Sequence, residues 1–143
     1  EAVELTDGVE QTWAVTGDTV GGATLSFESE QEALCREIEA DRARLRQLLE
    51  NLFRNAIEHG GEEVTLGVGV LQEGFYVEDD GPGIPESERE TVFDMGYSSA
   101  DGGTGFGLSI VRRIAEGHGW TIRATDGSAG GARFEIRDVE FVG

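Results

Sequence analysis

Apolar residues recur at helical spacing over positions 45–56, where Leu45, Leu48, Leu49, Leu52, Phe53 and Ala56 form one stripe. Asp41 stands ahead of the stripe as a candidate cap and Gly60-Gly61 follows it as a stop, which predicts a long helix ending near His59. A second helix is predicted from about Gly105 to Glu116, with Phe106, Leu108, Ile110, Val111 and Ile114 available for packing. Val3 to about Val15 reads as a further helix with Val3, Val9, Trp13 and Ala14 inward, although Gly8 weakens it. Period-two alternation predicts a strand over Ala23–Ser29 with Ala23, Leu25 and Phe27 on one face, and a short one near Leu34–Ile38. Val64–Leu71 and Phe75–Asp79 read as a hairpin about Gln72–Gly74, and Trp120–Thr125 with Ala132–Val139 as a terminal antiparallel pair across Gly127–Gly131. Thr16–Gly22 is turn-rich, and Gly81–Thr104 lacks periodicity apart from a short helix after Pro85. These elements predict an α/β (α+β) two-layer sandwich. Its mixed, largely antiparallel sheet carries about three helices on one face; the other face is solvated or covers a partner.

The length of 143 residues suits one domain spanning 1–143, with an N-terminal helix and loop over 1–22. No run approaches the ~18 apolar residues of a membrane helix, so no membrane contact is expected. The chain opens on Glu1 without a basic and apolar leader, which suggests a piece of something longer. Its single cysteine, Cys35, excludes an internal disulfide and suits a reducing cytoplasm. Charge changes the picture more. The chain has 29 acidic residues against 11 basic ones, all arginine, for a net charge of −18. Such a field repels phosphate backbones, so no nucleic acid is expected as a partner. An acidic surface without lysine suggests a halophilic protein; an ordinary acidic cytosolic domain is the plainer alternative.

Three segments carry candidate chemistry. On the helix through Glu50–His59, the side chains of Asn51, Asn55, Glu58 and His59 fall within about a 100° arc beside the apolar stripe. Amide oxygens on successive turns suit a hard cation that keeps some of its water, yet two asparagines on a helix face can equally be solvated. Asp79-Asp80-Gly81-Pro82-Gly83-Ile84 follows an apolar strand. Here a carboxylate can accept from an exocyclic amine such as adenine's while glycines allow close approach, although a tight turn with a solvated acid has the same composition. Gly103-Thr104-Gly105-Phe106-Gly107-Leu108 opens a helix, whose free N–H groups can seat a phosphate. With no strand before these glycines the Rossmann pattern does not apply, and with no lysine a P-loop is excluded.

Taken together, the three segments resemble the N box and the two glycine boxes of the GHKL superfamily, with its Bergerat fold. The likeness is greatest to the ATP-binding catalytic domain of histidine kinases, here of a haloarchaeal type. Phe93, in Thr91-Val92-Phe93-Asp94, stands where that family has a phenylalanine box, and Ile114–Trp120 is also typical of it. The resemblance covers Ala23 to the C-terminus and implies Mg2+ and ATP as ligands. Asn55 would hold magnesium directly, with Asn51 in the same shell, and both would serve catalysis. Asp79 would bind the adenine amine, with Gly81, Gly83 and Ile84 close to the base. Gly103, Thr104, Gly105, Phe106, Gly107 and Leu108 would line the phosphates, Glu58, His59, Phe93 and Tyr97 would complete the nucleotide site, and 81–104 would be a mobile ATP lid. Departures from the pattern are Asp80 in place of asparagine, Glu58 where a basic residue is common, and a lid whose only cation is Arg89.

Of the two histidines, His59 ends the long helix and His118 sits between glycines in a predicted turn; neither has the context of a phosphoacceptor. The expected function is therefore donation of the γ-phosphoryl from Mg-ATP to a histidine on a separate dimerisation domain of the same protein. A response regulator would be an indirect partner, and the location cytoplasmic. A regulatory nucleotide-binding module without transferase activity, or a GHKL protein serine kinase, are the alternatives. The composition itself makes a prediction: the unfolding midpoint rises between low and molar KCl as salt screens the acidic surface. A midpoint equal or higher at low salt would remove the halophilic reading.

Overall fold

The computed structural model describes residues 2–16, 24–28, 36–60, 63–81, 83–84, 87, 93, 107–127 and 130–142, without the side chains of 16, 58–60, 107 and 142. Two sheets and three helices are present among them. The larger sheet contains β2 (Thr24–Phe27), β4 (Thr65–Leu71), β5 (Gly74–Asp79), β6 (Thr121–Asp126) and β7 (Ala132–Arg137), in the order β2-β4-β5-β7-β6. Only the β2–β4 pair is parallel, so the sheet is mixed and largely antiparallel as expected. The helices are α1 (Leu5–Thr16), α2 (Arg42–Gly60) and α3 (Gly107–Gly117). α2 is packed against α1, α3 and β5.

All six residues of the α2 stripe are buried, which makes this helix the centre of the core. Opposite it the strands contribute alternate residues, among them Leu66, Val68, Phe75, Val77, Phe134 and Ile136. Asp41 is the cap: its Oδ1 accepts from the Arg44 N–H at 3.1 Å. The backbone N–H of Asp41 donates to Nε2 of His118 at 3.0 Å, while Nδ1 of the same ring donates to the Ile114 carbonyl at 2.9 Å. The imidazole stacks on Trp120 with centroids 4.3 Å apart. His118 is thus structural, fastening the end of α3 to the start of α2.

Two expectations need correction. Val3 lies in a short strand, β1 (Ala2–Glu4), and the helix begins only at Leu5; Ala14, expected inward, is exposed. β1 pairs with β3 (Glu37–Glu39), which overlaps the short strand expected near Leu34–Ile38 and also pairs with β8 (Phe141–Val142), forming a small antiparallel sheet whose β1 and β8 the sequence pattern does not predict. β1 and β8 hold barely one alternation each, so periodicity carries no signal for these two. The loop expected at 16–22 and the short helix after Pro85 fall essentially outside the described residues.

The sheet face turned away from the helices is polar and organised. Glu78 is 3% exposed and accepts from Arg133 at 2.7 Å, and the Arg133 guanidinium lies 4.0 Å over the Tyr76 ring. Glu135 pairs with Arg133 at 3.5 Å and with Arg137 at 3.1 Å. Gly67 and Gly69 on β4 provide the room, because a Cβ at Gly67 would meet the Glu28 carboxyl and one at Gly69 the Tyr76 ring. Burial and a hydrogen bond to Glu78 hold the Glu28 carboxyl above its ordinary range. Burial and the bond to Glu28 push the Tyr76 phenol up to about 12. The folded chain therefore holds the Glu28 proton more tightly than the unfolded chain does. That contribution to stability is present in acid and is lost as pH climbs from the ordinary carboxylate range through the raised value. Glu28→Gln should remove this dependence, so its melting temperature gains on the parent's as pH rises. A difference between the two that stays flat with pH in thermal melts would refute the shared proton.

Candidate functional site

The long helix α2, which carries Asn51 and Asn55, packs against β5, which ends in Asp79, and against α3, which begins at Gly107. Asn51 and Asn55 lie one turn apart on α2, both half-buried, beside the stripe that seats the helix. The Asn51 amide nitrogen donates to the Gln47 carbonyl at 2.8 Å, which leaves its oxygen as the atom for a ligand. On the adjoining surface Arg54 pairs with Glu50 at 2.6 Å, an exposed pair within the helix.

β5, beside which α2 packs, ends in Asp79, whose side chain is on the helix-covered face of the sheet and 6% exposed. Its Oδ1 accepts from the Gly81 N–H at 2.9 Å and from the Ala132 N–H at 3.3 Å. A buried carboxylate oxygen held by backbone donors is a fixed acceptor rather than a solvated turn acid. The loop leaves with Gly81 half-buried and Gly83 at φ 80°, a backbone region that favours glycine, and Ile84 returns to the core edge. Asp80 turns to a different task. Its Oδ1 accepts from the Thr65 N–H at 2.9 Å, a bond that an asparagine oxygen could also make.

Gly107 opens α3, and Leu108 is buried behind it. α3 packs on α2, so the helix preceded by the glycine run neighbours the asparagine helix. Phe93 lies in the core, its ring 6.0 Å from that of Phe134 in a T-shaped contact. The side chains of Glu58 and His59, and all of Tyr97, Gly103, Thr104, Gly105 and Phe106, lie outside the described residues.

The sequence reading passed over Gly131 and Ala132. Ala132 supplies a backbone donor to Asp79, and a Cβ on Gly131 would overlap Asp79 itself. The run Gly127–Gly131 reads as a simple strand connection, and its adjacent glycines are the signal that a backbone passes close by. A separate open cleft of about 470 Å³, lined by Glu39, Ala40, Asp41 and His118, lies at the start of α2, away from the asparagines. Both nitrogens of its histidine are already engaged, so it adds nothing to this site.

Residues 40–140 match the family described as Histidine kinase-, DNA gyrase B-, and HSP90-like ATPase. The chain belongs to this family, as a GHKL-type ATP-binding domain of the histidine kinase kind. It is 33% identical over 140 residues to the sensor histidine kinase ZraS of Klebsiella oxytoca, covering 94% of this chain and 30% of that protein. With the sensor histidine kinase CpxA of Escherichia coli K12 it shares 35% over 100 residues, 64% of this chain and 22% of that one. The chain thus spans less than a third of the length of these curated relatives. Among solved structures, the catalytic domain of histidine kinase ThkA is similar with a TM-score of 0.78 and 29% identity, over 95% of this chain and 94% of that one. The mycobacterial sensor histidine kinase MprB shares the fold, with a TM-score of 0.82 at 23% identity over 99% of this chain and 97% of that one.

Proposed function

We propose that this chain is the catalytic, ATP-binding domain of a two-component sensor kinase, and that it donates the γ-phosphoryl of Mg-ATP to a histidine on a separate dimerisation domain of the same protein. The observation that carries the reading is the Asp79 carboxylate, buried at the end of β5 with one oxygen held by two backbone N–H groups. Such an acceptor suits the exocyclic amine of adenine, and Gly81 and Gly83 let the base approach the backbone. Gly107, with the N–H groups at the start of α3, would meet phosphate oxygens.

The residues present also fit magnesium. Asn51 commits its nitrogen to Gln47 and so offers oxygen, and Asn55 adds a second amide on the next turn. Among the described residues no group of three His, Cys, Asp or Glu could form an all-protein cage. Two amide oxygens supplemented by water and phosphate match what magnesium accepts. When bound, the ion would neutralise charge on the phosphates. The chain itself supplies position, not a nucleophile: catalysis of this kind rests on orienting the donor and on electrostatics.

The acceptor histidine, the response regulator that receives the phosphoryl in turn, a cytoplasmic location and growth in high salt belong to the same proposal. Among the described residues no helix is long and apolar enough to cross a membrane. A second reading, a regulatory nucleotide-binding module, is favoured by Glu58 and by a lid whose one cation is Arg89.

Two measurements test these readings. Asn55→Ala and Asp79→Asn should each weaken ATP binding about tenfold to a hundredfold, the first by losing a metal ligand and the second a charge-assisted bond. Unchanged affinity in both variants would place the site elsewhere. The full-length protein, incubated with γ-labelled ATP in molar KCl, should acquire an acid-labile, alkali-stable phosphoryl group. ATP binding without such a product would favour the module, and an alkali-labile phosphoserine on a partner protein would indicate a serine kinase.

A further inference from the structure

The turn between β6 and β7 does more than join two strands. Its backbone closes on itself through Gly127 N–H to the Gly131 carbonyl at 2.7 Å and Gly130 N–H to the Gly127 carbonyl at 3.1 Å. Gly131 is buried against Asp79 so closely that a Cβ there would overlap both the backbone carbonyl and Oδ1 of that residue. A Cβ on Gly127 would come within 3.0 Å of Glu78 Oε2 and 3.3 Å of the Asp79 carbonyl oxygen. On the far side, a Cβ on Gly83 would lie 3.1 Å from the Gly130 carbonyl, so the turn also touches the loop after Asp79. The next residue, Ala132, donates its N–H to Asp79 Oδ1 at 3.3 Å, the same oxygen that takes the 2.9 Å bond from Gly81.

From this geometry we infer that Gly131 and the Ala132 amide are positioning groups for Asp79, and that they set how strongly the site prefers a purine bearing an exocyclic amine. An aspartate side chain turns easily about its last torsion, which is broad rather than staggered. Two backbone donors on one oxygen, one from the loop after β5 and one from the start of β7, hold the carboxylate plane, and the direction of the other oxygen follows from it. A fixed acceptor loses no rotational freedom when it receives a hydrogen bond, so the full value of that bond appears as discrimination. Gly131 is what allows the Ala132 amide to come this near. Any side chain at 131 would force the turn away or twist the carboxylate. The inference rests on the reading of Asp79 as the adenine acceptor and goes beyond it, because it assigns selectivity to a turn that touches the base only through Asp79.

The test compares dissociation constants for Mg-ATP and for the triphosphate of purine riboside, which lacks the amine, in the parent chain and three variants. The parent should prefer ATP by roughly tenfold or more, the value of one hydrogen bond to a charged group. Gly131→Ala should shrink that ratio to within about twofold of unity while affinity for purine riboside triphosphate stays near the parent's. Ala132→lactic acid, which turns the 131–132 amide into an ester, removes the donor without placing atoms beside Asp79. It should shrink the ratio in the same way, and it carries the test if Gly131→Ala does not fold. Asp79→Asn separates the two levels of the argument. If Asp79→Asn loses the preference while the folded turn variants keep it, the positioning role is overturned and the reading of Asp79 stands. If Asp79→Asn keeps the preference, Asp79 is not the acceptor and the inference falls with it. A merely structural role for the turn would weaken both nucleotides alike and leave the ratio unchanged, which also overturns it.

Discussion

The structure depends on the burial of one helical stripe. Leu45, Leu48, Leu49, Leu52, Phe53 and Ala56 fix the rotation of α2 over the sheet, since any other rotation would expose several large apolar groups at about 1.5–3 kcal/mol each. Once that face is set, the flanking arc is set too, and Asn51 and Asn55 fall at its margin, half in water. The same constraint acts on the strands. Phe75 and Val77 must face the helices, so Asp79, two residues on, faces them as well and ends under cover. An acid in that position can persist only because backbone donors reach it. The ligand-facing chemistry is thus placed by the packing of apolar neighbours.

How much of this the chain announces in advance differs by element. α2, with its cap at Asp41 and stop at Gly60, was legible because a 19-residue helix repeats its signal over several turns. The β4–β5 hairpin was legible from two alternating runs around a short turn. The candidate site was legible from residue types at close spacing: Asn51 with Asn55, and Asp79 with Gly81 and Gly83. Less was visible where the signal is non-local. Val3 has an apolar side chain that suits helix or strand, and only its partner Ile38, far along the chain, decides for the strand. Gly67 and Gly69 look like weak points in a strand until Glu28 and Tyr76 are seen lying across them. Gly131 looks like turn filler until Asp79 is found against it.

Charge divides the molecule in the same way. Among the described residues the buried acids have specific neighbours: Glu78 and Glu135 share Arg133, and Asp79 has the backbone amides of Gly81 and Ala132. Arginine suits this role, because its planar fork can meet two carboxylates and still lie flat over an aromatic ring, as Arg133 does over Tyr76. An ammonium group would serve one partner at a time. A chain with no lysine has thus kept the cation that can bridge several acids within a sheet.

The small sheet has a mechanical meaning. β1 and β8 both run antiparallel to β3 and flank it, so they run parallel to one another. The chain enters this sheet at the end marked by Glu39 and leaves it at the end marked by Glu37. A pull on the two ends therefore acts along the strands in opposite directions, and it loads the short ladders in shear, with their hydrogen bonds stretched together rather than peeled singly. Such a pull would be borne first by these few residues. The five-stranded sheet that carries Asp79 would be sheltered from it.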